Sequence, residues 1–291
     1  MFVDVLPVRH LDARDEGGIS MPYAGSNNAL YYDDDGDGHP IVFVPGFGGI
    51  GSFWRSQIAF FKKQFRVITV DQRGTGASAR TRDEYSIKQM TEDVQIVLDA
   101  AGIQRAVLVG HSTGGAIAQT LAVWAPDRIA GLLLSSTWST PGSYFRRGFE
   151  FRRSLLELGA TDLFHKAGIF FRYPPYYAEA HDAAFDSGGP VDVGITISRI
   201  NAVIRADLTP LTHQIVSPTL VVASRDDMLV PHYMSEEVAR RISHSRLVVL
   251  DQGGHFLPET RSTEYNGLLE SFLRDLDLKA PAPIRSLSSA R

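Results

Sequence analysis

The 291-residue chain contains no cysteine, which excludes disulfides, thiolate metal sites and a cysteine nucleophile together. It has no surplus of positive charge either. Its 29 Lys and Arg stand against 33 Asp and Glu, a formal net charge of -4, so the electrostatic footprint of a nucleic-acid binder is missing. No long apolar run opens the chain, because MFVDVLPVRHLDARDEG is interrupted by acidic residues and Pro7. Neither a signal-peptide core nor a membrane span is expected there, and the cytoplasm is the default location. No internal repeat is visible. What remains is 44% hydrophobic and 21% charged, with 26 Gly and 15 Pro, the composition of a loop-rich globular protein with a sizeable core.

Short Val-, Ile- and Leu-rich runs at 28–32, 41–44, 66–70, 106–109, 129–134, 219–223 and 246–250 alternate with helical periodicity at 53–63, 86–100, 114–124, 233–241 and 263–276. That alternation predicts an α/β fold, a mostly parallel central sheet flanked by helices, whose strands are covered on both faces. The stretch 139–212 has no apolar strand and is helical in texture, with aromatics and arginines such as Tyr144, Phe149, Phe151, Arg152, Arg153, Phe170, Phe171 and Tyr173. It is expected to be a helical cap, inserted into a core made of 1–138 and 213–278. The Pro-, Ser- and Ala-rich end, 279–291, is expected to be a flexible tail.

The chemistry is concentrated at three loops. Ser112, in Gly110-His111-Ser112-Thr113-Gly114-Gly115, follows a strand-like run directly and precedes a helix-like one. Small residues on both sides allow the tight, strained turn that lifts a nucleophilic hydroxyl to the mouth of a sheet, at a helix N-terminus that favours negative charge. His255 follows the last strand and the flexible Asp251-Gln252-Gly253-Gly254; an imidazole supplies the near-neutral base a hydroxyl needs. Asp227, in Asp227-Met228-Leu229-Val230-Pro231, is the favoured acid to orient that base, with its neighbour Asp226 as the alternative. Backbone amides of Phe47 and Thr113 are the candidate oxyanion donors. Gly46, His111, Trp138 and Phe256 are expected to line the substrate pocket.

Two motifs invite other readings. Gly46-x-Gly48-x-x-Gly51 with Asp71 twenty residues on resembles a dinucleotide fingerprint. About forty residues and a strand precede it, however, and it would leave Ser112, Asp227 and His255 unexplained. Asp33, Asp35, Asp37 and Gly38 fit half of a calcium loop, but Val44 stands where the bidentate Glu belongs. A solvated turn between two strands is expected instead. No cofactor and no metal are therefore expected. The partner is a small-molecule substrate, not nucleic acid or a membrane, and a homodimer is allowed for.

Together these loops resemble the α/β-hydrolase superfamily from about residue 28 to 276. Asp71-Gln72-Arg73-Gly74-Thr75-Gly76 resembles the loop after its fourth strand, 110–114 its nucleophile elbow, 227–231 its acid loop and Gly253-Gly254-His255 its histidine loop. Within it, Tyr85-Ser86-Ile87, Arg172-Tyr173-Pro174, Asn201-Ala202 and Arg205-Ala206-Asp207 are similar to the aminoacrylate hydrolases of pyrimidine degradation, with the enol-lactone hydrolases next. Pro45 departs from the His that many members carry before the oxyanion glycine. The resemblance implies a serine hydrolase acting on a small ester, lactone, amide or carbamate-type substrate through an acyl-enzyme. A carbon–carbon bond hydrolase or a cofactor-free haloperoxidase would use the same triad, and a non-catalytic receptor the same fold.

Overall fold

The computed structural model describes residues 22–182, 185, 189–276 and 278; the tail expected at 279–291 lies outside the described residues. Eight strands form one sheet: β1 (Tyr23–Ala24), β2 (Leu30–Asp35), β3 (Pro40–Val44), β4 (Arg66–Val70), β5 (Ala106–His111), β6 (Ile129–Ser135), β7 (Thr219–Ser224) and β8 (Ser245–Leu250), in the order β1-β2-β4-β3-β5-β6-β7-β8. The pairs from β4 through β8 are parallel, whereas β1 and β2 run antiparallel at one edge.

Strand periodicity sorts the core into two faces. Val42, Val44, Leu108, Leu132, Leu134 and Val221 join one buried cluster, and Ile41, Phe43, Val107, Val109, Leu133 and Val222 the other. The first is covered by α2 (Ile87–Ala100), α3 (Thr113–Trp124) and α9 (His232–Arg241), the second by α1 (Arg55–Phe61) and α11 (Ser262–Asp275). Continuous apolar runs are what a doubly covered parallel sheet requires.

The edge strand departs from expectation. The acidic run forms the turn only in its second half, Gly36-Asp37-Gly38, between β2 and β3; Asp33, Asp34 and Asp35 instead pair with Thr69, Ile68 and Val67 as part of β2. The two-residue β1 covers only Leu30 and Tyr31, so the 33–35 part of β2 has a neighbour on one side alone and tolerates charge, and Asp34 accepts two hydrogen bonds from the Arg66 guanidinium, at 2.6 and 2.9 Å. The helix expected at 53–63 is likewise split, into a 3-10 turn at Gly51–Trp54 followed by α1.

Between β6 and β7 the chain forms α4 (Ser143–Glu157), α5 (Thr161–Arg172), α6 (Pro175–Ala180), α7 (Val193–Arg205) and α8 (Thr209–Thr212). On α4 the buried residues are Phe145, Phe149, Arg152 and Leu156, a single stripe at helical spacing. Asp192 caps α7 by accepting a hydrogen bond from the Ile195 amide at 3.1 Å. A one-turn helix, α10 (Leu257–Thr260), follows the histidine loop.

Candidate active site

Only Ser112 separates β5 from α3. Its backbone sits at φ 53, ψ -117, a left-handed conformation costly for a residue with a Cβ. Close packing explains the flanking glycines: a Cβ at residue 110 would stand 2.4 Å from the Gly114 carbonyl oxygen, and one at residue 114 would stand 2.0 Å from that of Val44. The Ser112 amide donates to the Ser135 carbonyl at 2.8 Å, and the Thr137 hydroxyl donates to the Ser112 carbonyl at 2.8 Å. The turn is thereby pinned to the end of β6. The Ser112 hydroxyl is buried and makes no hydrogen bond.

Asp227 and His255 arrive from the ends of β7 and β8. His255 Nδ1 and Asp227 Oδ2 lie 2.9 Å apart, with both side chains almost fully buried. The other oxygen of Asp227 accepts the Leu229 and Val230 amides at 2.9 and 2.8 Å, so the carboxylate cannot rotate away from the ring without breaking two bonds. Asp226 faces elsewhere: it accepts from the Ser224 hydroxyl and from the Gly253 and Gly254 amides, shaping the loop that carries the histidine. The His255 ring lies 4.8 Å, centroid to centroid, from that of His111, the residue before Ser112. The structure thus joins Asp227 to His255 and carries Ser112 to the same edge without a hydrogen bond between Ser112 and His255.

His111 is fully buried, with Nδ1 2.8 Å from the Ser135 hydroxyl. Burial, and then the charge on neighbouring His255, hold its pKa well below the ordinary imidazole value. Its imidazole is therefore held neutral.

The loop after β3 reaches across to the serine. A Cβ at Gly46 would lie 3.2 Å from Ser112 Cβ and from His111 Cδ2, closer than ordinary contact, so a larger residue there would press on the serine turn. Neither the Phe47 nor the Thr113 amide has an acceptor among the described residues. The three carbonyls around the Phe47 amide are each held: Pro45 by Gln72 Nε2 at 2.6 Å, Gly46 by the Gly49 amide at 3.0 Å and Phe47 by Arg199 Nη2 at 2.9 Å. Arg199, from α7, also donates to Gln72 Oε1 at 2.5 Å and to the Arg73 carbonyl at 3.0 Å. Asp71, the acid of the apparent dinucleotide fingerprint, is spent inside the protein, accepting the Gly51 and Ala77 amides at 2.7 and 2.8 Å.

A cavity of about 500 Å³ opens above these loops, between them and helices α4, α5 and α7. Gly46, Phe47, His111, His255 and Phe256 border it. Trp138 does not, which corrects its expected place in the pocket. It is fully buried, its ring 4.6 Å from that of Phe145 and its indole N–H donating to the Ala206 carbonyl at 3.1 Å. A buried indole needs an acceptor for its N–H, and the end of α7 supplies one on the side away from the cavity. Five arginines, none of them expected from the sequence to line the pocket, also border the cavity: Arg55, Arg80, Arg152, Arg172 and Arg199. The signal for Arg152 is its position on the apolar stripe of α4.

Among the described residues no group of three or more His, Cys, Asp or Glu side chains is arranged to hold a metal ion, and no helix is long and apolar enough to cross a membrane. The chain matches the Alpha/beta hydrolase family over residues 41–267. It is 34% identical over 264 residues to a protein of Azorhizobium caulinodans named "putative carbamate hydrolase RutD", covering 88% of this chain and all of that protein. A protein of the same name from Caulobacter sp. is 33% identical, over 86% and 97% of the two chains. Among solved structures, the enol-lactonase from Burkholderia xenovorans LB400 superposes with a TM-score of 0.79 at 28% identity, over 87% of this chain and all of the other. The family match, the length covered by these relatives and the shared sheet agree: the chain belongs to the α/β-hydrolase family and is an α/β-hydrolase enzyme.

Proposed function

We propose that the protein is a serine hydrolase in which Ser112 attacks, His255 moves the proton and Asp227 orients His255. The observation that carries this reading is the buried Asp227–His255 hydrogen bond at 2.9 Å, standing beside a serine held at a strained strand-to-helix turn. An acceptor at Nδ1 leaves Nε2 free of a proton and able to take one from a hydroxyl. Hydrogen bonds of this kind tighten when substrate closes the site, so the unpartnered Ser112 hydroxyl is compatible with the role.

The reaction proceeds in two halves. The Ser112 proton passes to His255 Nε2 as Oγ bonds to the substrate carbonyl carbon, and the oxyanion so formed is met by the Phe47 and Thr113 amides. The intermediate collapses as the leaving group departs with the proton from His255. Water then gives a proton to the same nitrogen as its oxygen adds to the acyl carbon, and the second intermediate collapses as the carbon–Oγ bond breaks and His255 returns the proton to Ser112 Oγ. Helices α4 to α8 serve as a cap that limits water around the acyl-enzyme.

The substrate class is a small ester, lactone, amide or carbamate, in keeping with the carbamate hydrolase and enol-lactonase names of the relatives and with a cavity of about 500 Å³. The test is pre-steady-state hydrolysis of 4-nitrophenyl acetate. A burst of nitrophenol stoichiometric with enzyme, absent in Ser112→Ala, is expected. Equal steady-state turnover by Ser112→Ala would overturn the reading.

A further inference from the structure

Of the arginines that border the cavity, Arg55 faces Glu259, Arg199 is hydrogen-bonded to the Phe47 and Arg73 carbonyls and to Gln72, and Arg80 is exposed, whereas the side chains of Arg152 and Arg172 have neither a hydrogen bond nor an ion pair among the described residues. Arg152 is buried, and its guanidinium makes no hydrogen bond or ion pair among the described residues; its Nε is wholly enclosed. It is surrounded instead by rings, with Cζ 4.9, 5.2 and 5.0 Å from the centroids of Phe47, Phe149 and Phe164. Cation–π contacts of this kind stabilise a guanidinium, but they leave its planar N–H donors unused. Arg172, at the end of α5, is half-buried and feels the Glu259 carboxylate, but its side chain likewise makes no hydrogen bond or ion pair among the described residues, and Cζ lies 5.4 Å from the Phe256 ring.

The two carboxylates bordering the cavity are engaged elsewhere. Asp192 caps α7, and Glu259 accepts the hydroxyls of Tyr173 and Tyr177 and faces Arg55. Burial, and then repulsion from Arg172, push the Arg152 guanidinium below its usual pKa; arginine nevertheless stays charged at neutral pH. A buried charge without a partner is strongly unfavourable. A sequence free to place an aliphatic residue on the stripe Phe145, Phe149, Arg152, Leu156 places a cation there, facing the site.

The positions of the two groups are specific. Arg152 lies over the ring of Phe47, whose amide is the proposed oxyanion donor. Arg172 lies over Phe256, next to His255, and its carbonyl accepts the Phe256 amide at 3.0 Å. Both arginines therefore border the cavity together with Phe47, His111 and His255.

We infer that Arg152 and Arg172 form an anion subsite that binds a carboxylate carried by the substrate at the end remote from the scissile bond. The inference rests on the cavity being the substrate site. A flat guanidinium whose faces are occupied by rings offers its edge, and a planar carboxylate matches that edge with two parallel hydrogen bonds. The substrate is thus an ester, lactone, amide or carbamate that carries a free carboxylate.

Binding distinguishes this inference from the hydrolytic one, because it needs no turnover. Monomethyl glutarate, dimethyl glutarate and a methyl phosphonate of matching length are titrated calorimetrically into Ser112→Ala protein. The carboxylate ligand is expected to bind at least tenfold more tightly than the neutral diester. Adding Arg152→Met should reduce that preference to about threefold or less, and Arg172→Met should reduce it in part. Equal binding of the two esters, a preference retained in both arginine variants, or tighter binding of the phosphonate would each overturn the assignment. If Arg152→Met fails to fold, the ester comparison in Ser112→Ala and the Arg172→Met variant still decide it. Loss of the Ser112 burst with the carboxylate preference intact would sink the hydrolytic reading alone.

Discussion

Replacing Asp227 by Asn changes one atom and should nearly abolish turnover. In the folded protein Oδ1 accepts the Leu229 and Val230 amides, and Oδ2 faces His255 Nδ1 at 2.9 Å. An asparagine keeps its oxygen on the two amides, so its NH2 must point at the ring and donate to Nδ1. The imidazole is then held in the tautomer with its proton on Nε2, and it cannot take the Ser112 proton. A wrong tautomer in such a triad costs about 10⁴ in kcat, or about 5 kcal/mol of transition-state stabilisation. Asp226→Asn can keep the Gly254 amide and the Ser224 hydroxyl on its one oxygen and gives up only the longer bond from the Gly253 amide, at 3.3 Å, so a loss of about tenfold or less is expected. The assay is kcat on a 4-nitrophenyl ester for both variants, with urea midpoints to show that each is folded. If Asp227→Asn retains more than about a tenth of the activity while Asp226→Asn loses nearly all of it, the acid has been misassigned.

Other outcomes follow from the same geometry. Arg199→Met releases the Phe47 carbonyl and Gln72, so kcat on the same ester should fall at least tenfold, toward the ~100-fold loss of one oxyanion donor, with KM changed less; an unchanged kcat would rule out its positioning of the loop. The unfolded chain binds a proton at residue 111 near pH 6.5, whereas the folded chain, with that pKa held down by burial and then by His255, does not. Stability present above pH 6.5 is therefore lost as pH falls below it, by up to about 1.4 kcal/mol per unit. His111→Gln should flatten this acid limb in urea titrations between pH 7.5 and 5, and an equally steep limb would contradict the burial argument.

Much of the site was legible because its chemistry is local in sequence. Gly110, Ser112 and Gly114 mark a turn whose packing admits no Cβ at the glycines, and a reader of residue types can see that. For the acid, the loop pattern favours Asp227 and leaves Asp226 as the alternative. The choice depends on which carboxylate meets the Leu229 and Val230 amides and which meets the Gly253–Gly254 loop, and that is a tertiary fact. Trp138 was misplaced because proximity to the end of β6 says nothing about where an indole N–H finds its acceptor. Asp and Gly mark the turn at Gly36-Asp37-Gly38, but they do not show that β2 runs on through Asp35, beyond the short β1 and beside Arg66. Arg152 and Arg153 look alike in sequence; the helical stripe turns the first inward, while the second bonds Asn201 at 2.8 Å on the outer side.

Labelling with a fluorophosphonate, followed by intact-mass measurement and peptide mapping, examines the nucleophile itself. One adduct per chain on Ser112, lost in Ser112→Ala and greatly slowed in His255→Ala, is the predicted result. Labelling that persists in Ser112→Ala, or that maps to another residue, would contradict it.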